Sequence, residues 1–255
     1  MQHRECQKYV SCSPFKPKRQ YKKIYHSVSA ADIRQGAGKP DENAGELLPT
    51  AVSSVIQMIG DISEDDVFLD VGAGLGNIVA QFALQTNAGQ CLGIEKRAEV
   101  VYAGLQCVRS SAARLLNLLK VRVLIGDILD TPLSCCPPFQ AASIVYLNDF
   151  LFEEPAKLAV REDLCEMPKA RVIISTSLYC SRHRDKCQDP FCARWQLEET
   201  MYGRANVDKA LVRAKVRHDG PGVGMLGNGC VGGSADPKFV QSVVVWDCRA
   251  AVQGL

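Results

Sequence analysis

The sequence predicts an open α/β fold, a doubly wound and mostly parallel seven-stranded sheet, and three observations carry that expectation. Val67-Phe68-Leu69-Asp70-Val71 is a short apolar run that reaches an acid and passes into Gly72, Gly74 and Gly76 at alternate positions. Two more apolar runs, 91–95 and 121–125, lead to Glu95 and Asp127. The intervals between the three runs each hold one segment with apolar residues at helical spacing. Right-handed crossovers between parallel strands then give the doubly wound sheet.

The elements follow in chain order. Residues 1–39 hold nine of the 30 Lys/Arg but two of the 28 Asp/Glu, which leaves the remainder with 21 basic and 26 acidic residues. Residues 1–43 therefore read as a basic flexible arm and linker, and 44–255 as one domain. Phe15-Lys-Pro-Lys-Arg-Gln-Tyr-Lys-Lys-Ile-Tyr25 interleaves five positive charges with aromatics and has no acid. That chemistry suits DNA phosphates or a nuclear address. Residues 51–59 place Val52, Val55, Ile56 and Ile59 on one helical face, expected to pack under the glycine turn. Helices are predicted over 77–85, 98–119 and 153–167, and strands over 141–147 and 171–175. Strand character at 206–217 and 239–248 suggests an antiparallel pair that closes the sheet, separated by a loop with seven glycines at 219–235.

Hydrophobic residues make up 47% and charged residues 23%, the balance of a soluble globular protein. No apolar stretch approaches the roughly 20 residues that span a bilayer, so no membrane partner is expected, nor is a secretory signal apparent. The twelve cysteines read as free thiols or metal ligands before disulfides. Cys180-x2-His183-x3-Cys187-x4-Cys192 offers four metal-competent side chains, but the spacing matches no recurring zinc knuckle and no metal site is assigned.

The glycine turn is a cofactor cradle. Glycines at 72, 74 and 76 accept backbone angles closed to other residues and let a ligand lie against the main chain. A dinucleotide loop places its third glycine one position later, with the diphosphate on the helix N-terminus. Asp70 would repel a diphosphate and suits a cation such as the amino group of S-adenosyl-L-methionine. Glu95 sits where a carboxylate accepts both ribose hydroxyls, and Asp127 where one accepts the adenine amine, with Ile128 against the ring. Glu46, ahead of the first helix, is a further candidate ligand. At the end of the fourth strand Asn148 offers a neutral acceptor, and Phe150 and Phe152 can exclude water around an aliphatic substrate stem.

With these residues assembled, the chain resembles the disruptor-of-telomeric-silencing family of histone lysine methyltransferases that lack a SET domain. The likeness covers about residues 44–180. It is carried by Gly45-Glu46, by Asp70-Val-Gly-Ala-Gly-Leu-Gly with Asn77, by Gly93-Ile94-Glu95-Lys96, by Gly126-Asp127-Ile128 and by Asn148-Asp149-Phe150-Leu151-Phe152. The resemblance implies a class I S-adenosylmethionine-dependent methyltransferase with a basic N-terminal extension, acting in the nucleus on a lysine of the histone H3 globular core in nucleosomes. It also implies that Glu46, Asp70, Gly72, Asn77, Glu95, Asp127 and Ile128 hold the cofactor and that Asn148 sits at the reacting nitrogen; Lys96, next to Glu95, is a further cofactor-binding candidate. Ala44-Gly45-Glu46-Leu47 stands where the family has Tyr-Gly-Glu-Thr, Asp149 replaces a second asparagine, and Phe239-Val240 offers a single aromatic. Two other readings stand beside this one: a class I methyltransferase for another protein or RNA amine, and a non-catalytic cofactor-binding chromatin subunit.

Overall fold

Each central strand is a run of four to six residues apolar toward both faces, as a sheet covered by helices on both sides requires. The computed structural model describes residues 23–28, 48–149, 152–180, 187–204, 212–215 and 240–248. Five strands run parallel: β1 (Val67–Val71), β2 (Gln90–Glu95), β3 (Val121–Ile125), β4 (Ile144–Leu147) and β5 (Val172–Ser175). Three antiparallel strands follow, β6 (Trp195–Arg204), β7 (Val212–Lys215) and β8 (Val240–Cys248). The spatial order is β3-β2-β1-β4-β5-β8-β6-β7, so order reverses between β1 and β4. Ligands bind beyond the carboxyl ends of the strands at such a switch point.

Helices α1 (Pro49–Ile59), α2 (Asn77–Gln85) and α3 (Ala98–Ala112) cover one face, where Phe68 stacks on Phe82 with ring centroids 3.7 Å apart. Helices α4 (Glu154–Glu166) and α5 (Pro190–Arg194) cover the other, around Leu69, Val145, Ile173, Trp195 and Trp246. Helix α1 meets α2 through a polar seam: Gln81 Nε2 donates to the Pro49 carbonyl at 2.6 Å and to Ser53 Oγ at 3.2 Å.

Four details differ from the sequence expectation. The seven-stranded arrangement carries an added edge strand, so the sheet has eight. The long antiparallel partner of β8 is β6, and the described part of the segment expected to fill that place, residues 212–215, forms β7, which pairs with β6. β6 wins because Trp195 is fully buried, its Nε1 donates to the Leu164 carbonyl at 3.0 Å, and Leu197 pairs with Trp246. The helix expected over 98–119 ends at Ala112, where the Ser111 carbonyl accepts from both Arg114 N and Leu115 N and a 3-10 turn, Leu116–Lys120, leads into β3. Finally, the arm expected over 1–43 joins the domain at 23–28. Ile24 and Tyr25 are buried in the core, and Tyr25 Oη donates to the Gly76 carbonyl at 3.1 Å. Two apolar anchors inside a basic run outweigh its solvation.

The amino ends of β1, β4 and β5 are tied together by Asp66. Its carboxylate accepts from Ser63 N at 2.9 Å, Ser143 Oγ at 2.8 Å and the Arg171 guanidinium at 2.9 and 3.0 Å. Burial pushes this carboxyl up, but the Arg171, Ser63 and Ser143 hydrogen bonds outweigh it and hold it down at about 2. The folded value lies below the ordinary 3.8, so the stabilisation is present above that pH and is lost as pH falls toward 2. Because Arg171 is 37% exposed, solvent screening trims the effect. Asp66→Asn is expected to lower stability by about 1–2 kcal/mol at pH 7, with the gap from wild type closing in urea titrations carried toward pH 2. A gap independent of pH would contradict the assignment.

Candidate active site

The site begins with an acid in an apolar strand. Asp70, 2% exposed, lies between Gly93 of β2 and Tyr146 of β4. Among the described residues its carboxylate accepts no hydrogen bond. Burial, helped by the charge of Glu95, pushes its carboxyl up to about 8. A buried acid in that state is matched to a cation that arrives with its ligand.

The turn after β1 is shaped by its neighbours. The Gly72 and Ala73 N–H groups both donate to the Ile94 carbonyl at 2.9 Å. Gly72 has φ 79° and a Cβ there would stand 2.9 Å from Phe152 Cζ, so the ring of Phe152 roofs the loop. Gly76 has φ 73°, caps α2 and faces Val123. Gly74 has φ 53° with nothing within 4 Å of its Cβ position, the open side of the cradle.

Glu95 holds this loop. Its Oε2 accepts from Gly74 N at 2.9 Å, and its Oε1 accepts from the Arg97 backbone N at 3.0 Å and Nε at 3.1 Å. At least one lone pair on Oε2 remains for a hydroxyl, as a ribose ligand requires. Gly126 N donates to the Glu95 carbonyl at 3.0 Å, which carries the next acid to the same strand ends. Asp127 is half-buried, with Oδ1 accepting from Leu129 N at 3.0 Å, and Ile128 packs partly into the core. Asn77 opens α2 half-buried, and Lys96 is exposed.

On the substrate side, Asn148 is half-buried at the exit of β4. Its neighbour Asp149 is fully buried and accepts three hydrogen bonds, from Thr176 N at 3.1 Å, Thr176 Oγ1 at 2.9 Å and Tyr179 Oη at 2.6 Å. Both Thr176 donors share one carboxylate oxygen and the Tyr179 hydroxyl takes the other, so the buried acid is hydrogen-bonded on both oxygens. Phe152 N donates to the Asp149 carbonyl at 3.1 Å, so the ring over Gly72 and the anchor of Asn148 belong to one turn.

Asp70, Gly72, Gly74, Gly76, Asn77, Glu95, Asp127, Asn148 and Phe152 thus lie along the carboxyl ends of β1 to β4. Glu46, Phe150 and His183 lie outside the described residues. Sequence reasoning missed Tyr25, Arg97, Thr176, Tyr179 and Tyr146. The Tyr146 hydroxyl is buried without a hydrogen-bond partner among the described residues, and burial and the charges of Asp70 and Asp149 push its phenol well above the ordinary range. Arg97 alone had a signal, a cation two residues past the acid of β2.

An uncompensated buried acid, a carboxylate with an unused lone pair and an open glycine loop at a switch point form a site that fits S-adenosyl-L-methionine, and the fold around it is that of class I methyltransferases. The family described as histone methylation protein DOT1 matches residues 25–207, and the chain belongs to that family. It is an S-adenosylmethionine-dependent methyltransferase. Among solved structures, a candidate RNA methyltransferase from Pyrococcus horikoshii shares the fold, with TM-score 0.54 and 14% identity over 92% of this chain and 98% of that one. An RNA methyltransferase from Salinibacter ruber, solved with S-adenosyl-L-homocysteine, gives 0.39 and 22% over 51% and 76%. The precorrin-6y C5,15-methyltransferase of Geobacter metallireducens gives 0.45 and 9% over 86% and 97%. No curated protein matches the sequence.

Proposed function

We propose that this chain transfers a methyl group from S-adenosyl-L-methionine to a lysine in the globular core of nucleosomal histone H3, in the nucleus. Membership of the histone-methylation family over residues 25–207 carries the reading. The joint placement of Asn148 and Phe152 beside the glycine loop supports it. The cofactor supplies a methyl group already activated by its positive sulfur, so the protein's work is alignment and exclusion of water. Asp70 would pair with the cofactor's ammonium, and Glu95 and Asp127 would accept from its ribose and base. The lysine must arrive neutral. Its ordinary pKa is about 10.4, and an apolar wall such as the Phe152 ring beside a cation lowers that without a dedicated base. Asn148 would then accept a hydrogen bond from the neutral amine and fix its lone pair; the proton lost before attack goes to solvent, and the lysine leaves as the methylated ammonium.

The basic residues before Lys23 are assigned to nucleosomal DNA, where Lys16, Lys18, Arg19 and Lys22 displace counterions. A truncation that tests this must stop short of Ile24 and Tyr25, which belong to the core.

The test is radiolabelled methyl transfer to nucleosomes, free histones and RNA. Gly74→Arg serves as the blocked control, since its side chain enters open space rather than the core. Label in histone H3 that the control abolishes is the expected result; label confined to RNA or another protein would refute the substrate. Asn148→Ala should lower kcat by about 100-fold while cofactor Kd stays near that of wild type. Unchanged turnover would remove Asn148 from this role.

A further inference from the structure

We propose that Cys180, Cys187 and Cys192 are three ligands of a structural zinc ion that clamps the exit of β5 to α5. Their sulfurs come from three separate places in the chain: five residues beyond β5, just before α5, and inside α5. All three lie within 4.8 Å of one another, and the Cys180 and Cys187 sulfurs are 3.8 Å apart. Tetrahedral zinc with Zn–S bonds of about 2.3 Å separates its sulfurs by about 3.8 Å. A disulfide would need about 2.05 Å. Soft thiolates favour zinc over magnesium or calcium, which take oxygen ligands.

The three sulfurs are shielded from solvent to different degrees. Cys192 is fully buried, and Cys180 and Cys187 are half-buried. Asp189, two residues past Cys187, fixes the chain between Cys187 and Cys192. Asp189 is itself held, accepting from Phe191 N at 2.9 Å and pairing with Arg161. Each thiol gives its proton to solvent as its sulfur donates an electron pair to the cation, with no change of oxidation state.

The clamp has a place in the architecture. Tyr179 precedes Cys180 and donates to Asp149, while Phe191 precedes Cys192 and packs against Tyr179 and Trp246 with centroids 5.2 and 5.0 Å away. The ion would therefore brace the turn that carries Asn148 against the core. Its existence does not rest on the methyl-transfer reading, and it is tested without an activity assay.

Full-length chain purified in reducing, chelator-free buffer on a metal-free resin is expected to carry about one zinc per chain by plasma mass spectrometry. Chain stripped of metal and titrated with Co2+ should develop the near-ultraviolet thiolate-to-cobalt band. Cys187→Ser, at a half-buried position, should weaken zinc by more than about tenfold, whereas exposed Cys135→Ser should not change it. Cys192→Ser is the second variant, and Cys187→Ser keeps the test decisive if burial of the new hydroxyl prevents its folding. A folded, reduced wild type with neither zinc nor the cobalt band overturns the proposal. So does full zinc retention in Cys187→Ser, or a Cys180–Cys187 disulfide in the chain alkylated at lysis.

Discussion

Asp70→Asn is expected to weaken S-adenosyl-L-methionine by about 100-fold or more and, at the same time, to stabilise the ligand-free chain at neutral and alkaline pH. The two effects have one cause. Burial, with Glu95 adding its charge, raises the folded carboxyl to about 8 from an ordinary 3.8. Between those values the folded chain holds a proton that the unfolded chain has lost, so stability falls as pH rises through the window. The amide has no proton to lose, and its stability should be flat there. The gain over wild type should grow with pH to the order of a few kcal/mol near pH 8. The same titration marks ligand binding. At pH 7 Asp70 must ionise to meet the cofactor's ammonium, so wild type should release close to one proton per bound cofactor. Calorimetry in buffers of different ionisation enthalpy measures that proton. Binding with no proton exchanged, or with affinity unaltered in Asp70→Asn, would show that Asp70 does not hold the cation.

Gly104→Ala should be among the most damaging single-methyl changes in the chain, against the expectation from helix propensity. Inside an exposed helix the substitution favours the fold by about 1 kcal/mol. Here Gly104 is buried in α3, and a Cβ would stand 2.1 Å from the Leu75 carbonyl oxygen and 2.7 Å from its carbon. The obstacle is backbone, so no rotamer change relieves it. Leu75 lies between Gly74 and Gly76, and α3 can move away only by dragging the cofactor loop. Overpacking of this kind costs about 3 kcal/mol or more, and cofactor affinity should fall with it. The paired control is Gly74→Ala, whose Cβ meets nothing and which carries only left-handed backbone strain of about 1–2 kcal/mol. Urea midpoints should rank wild type, Gly74→Ala and Gly104→Ala in descending order. A Gly104→Ala chain as stable as wild type would mean that α3 does not approach the loop so closely.

The site was readable in the sequence where its residues follow one another or close a predicted strand. Asp70 and the three glycines share one turn, Glu95 and Asp127 end strands whose apolar runs announce them, and Asn148 to Phe152 leave the fourth strand together. The misses share a different property. Tyr25 looked like part of a solvated basic arm because its neighbours are lysines, yet its ring lies in the core and its hydroxyl reaches Gly76 across 51 residues. Trp195 to Arg204 was not read as a strand because its pattern is interrupted by a bulge between Leu197 and Glu199. Asp149 stood out only as a departure from an asparagine, and its purpose depends on Thr176 and Tyr179.

By itself, then, the sequence determined the parallel α/β sheet, the cofactor class and the strand ends at which the candidate acids stand, because strand runs, helical spacing and glycine turns are properties of neighbouring residues. Only the tertiary structure decided which strand pairs with β8, that Asp70 is buried deeply enough to hold its proton, that Gly104 must lack a side chain and that three cysteines converge. Those depend on burial and on approaches between segments far apart in the chain, and local spacing carries no information about either.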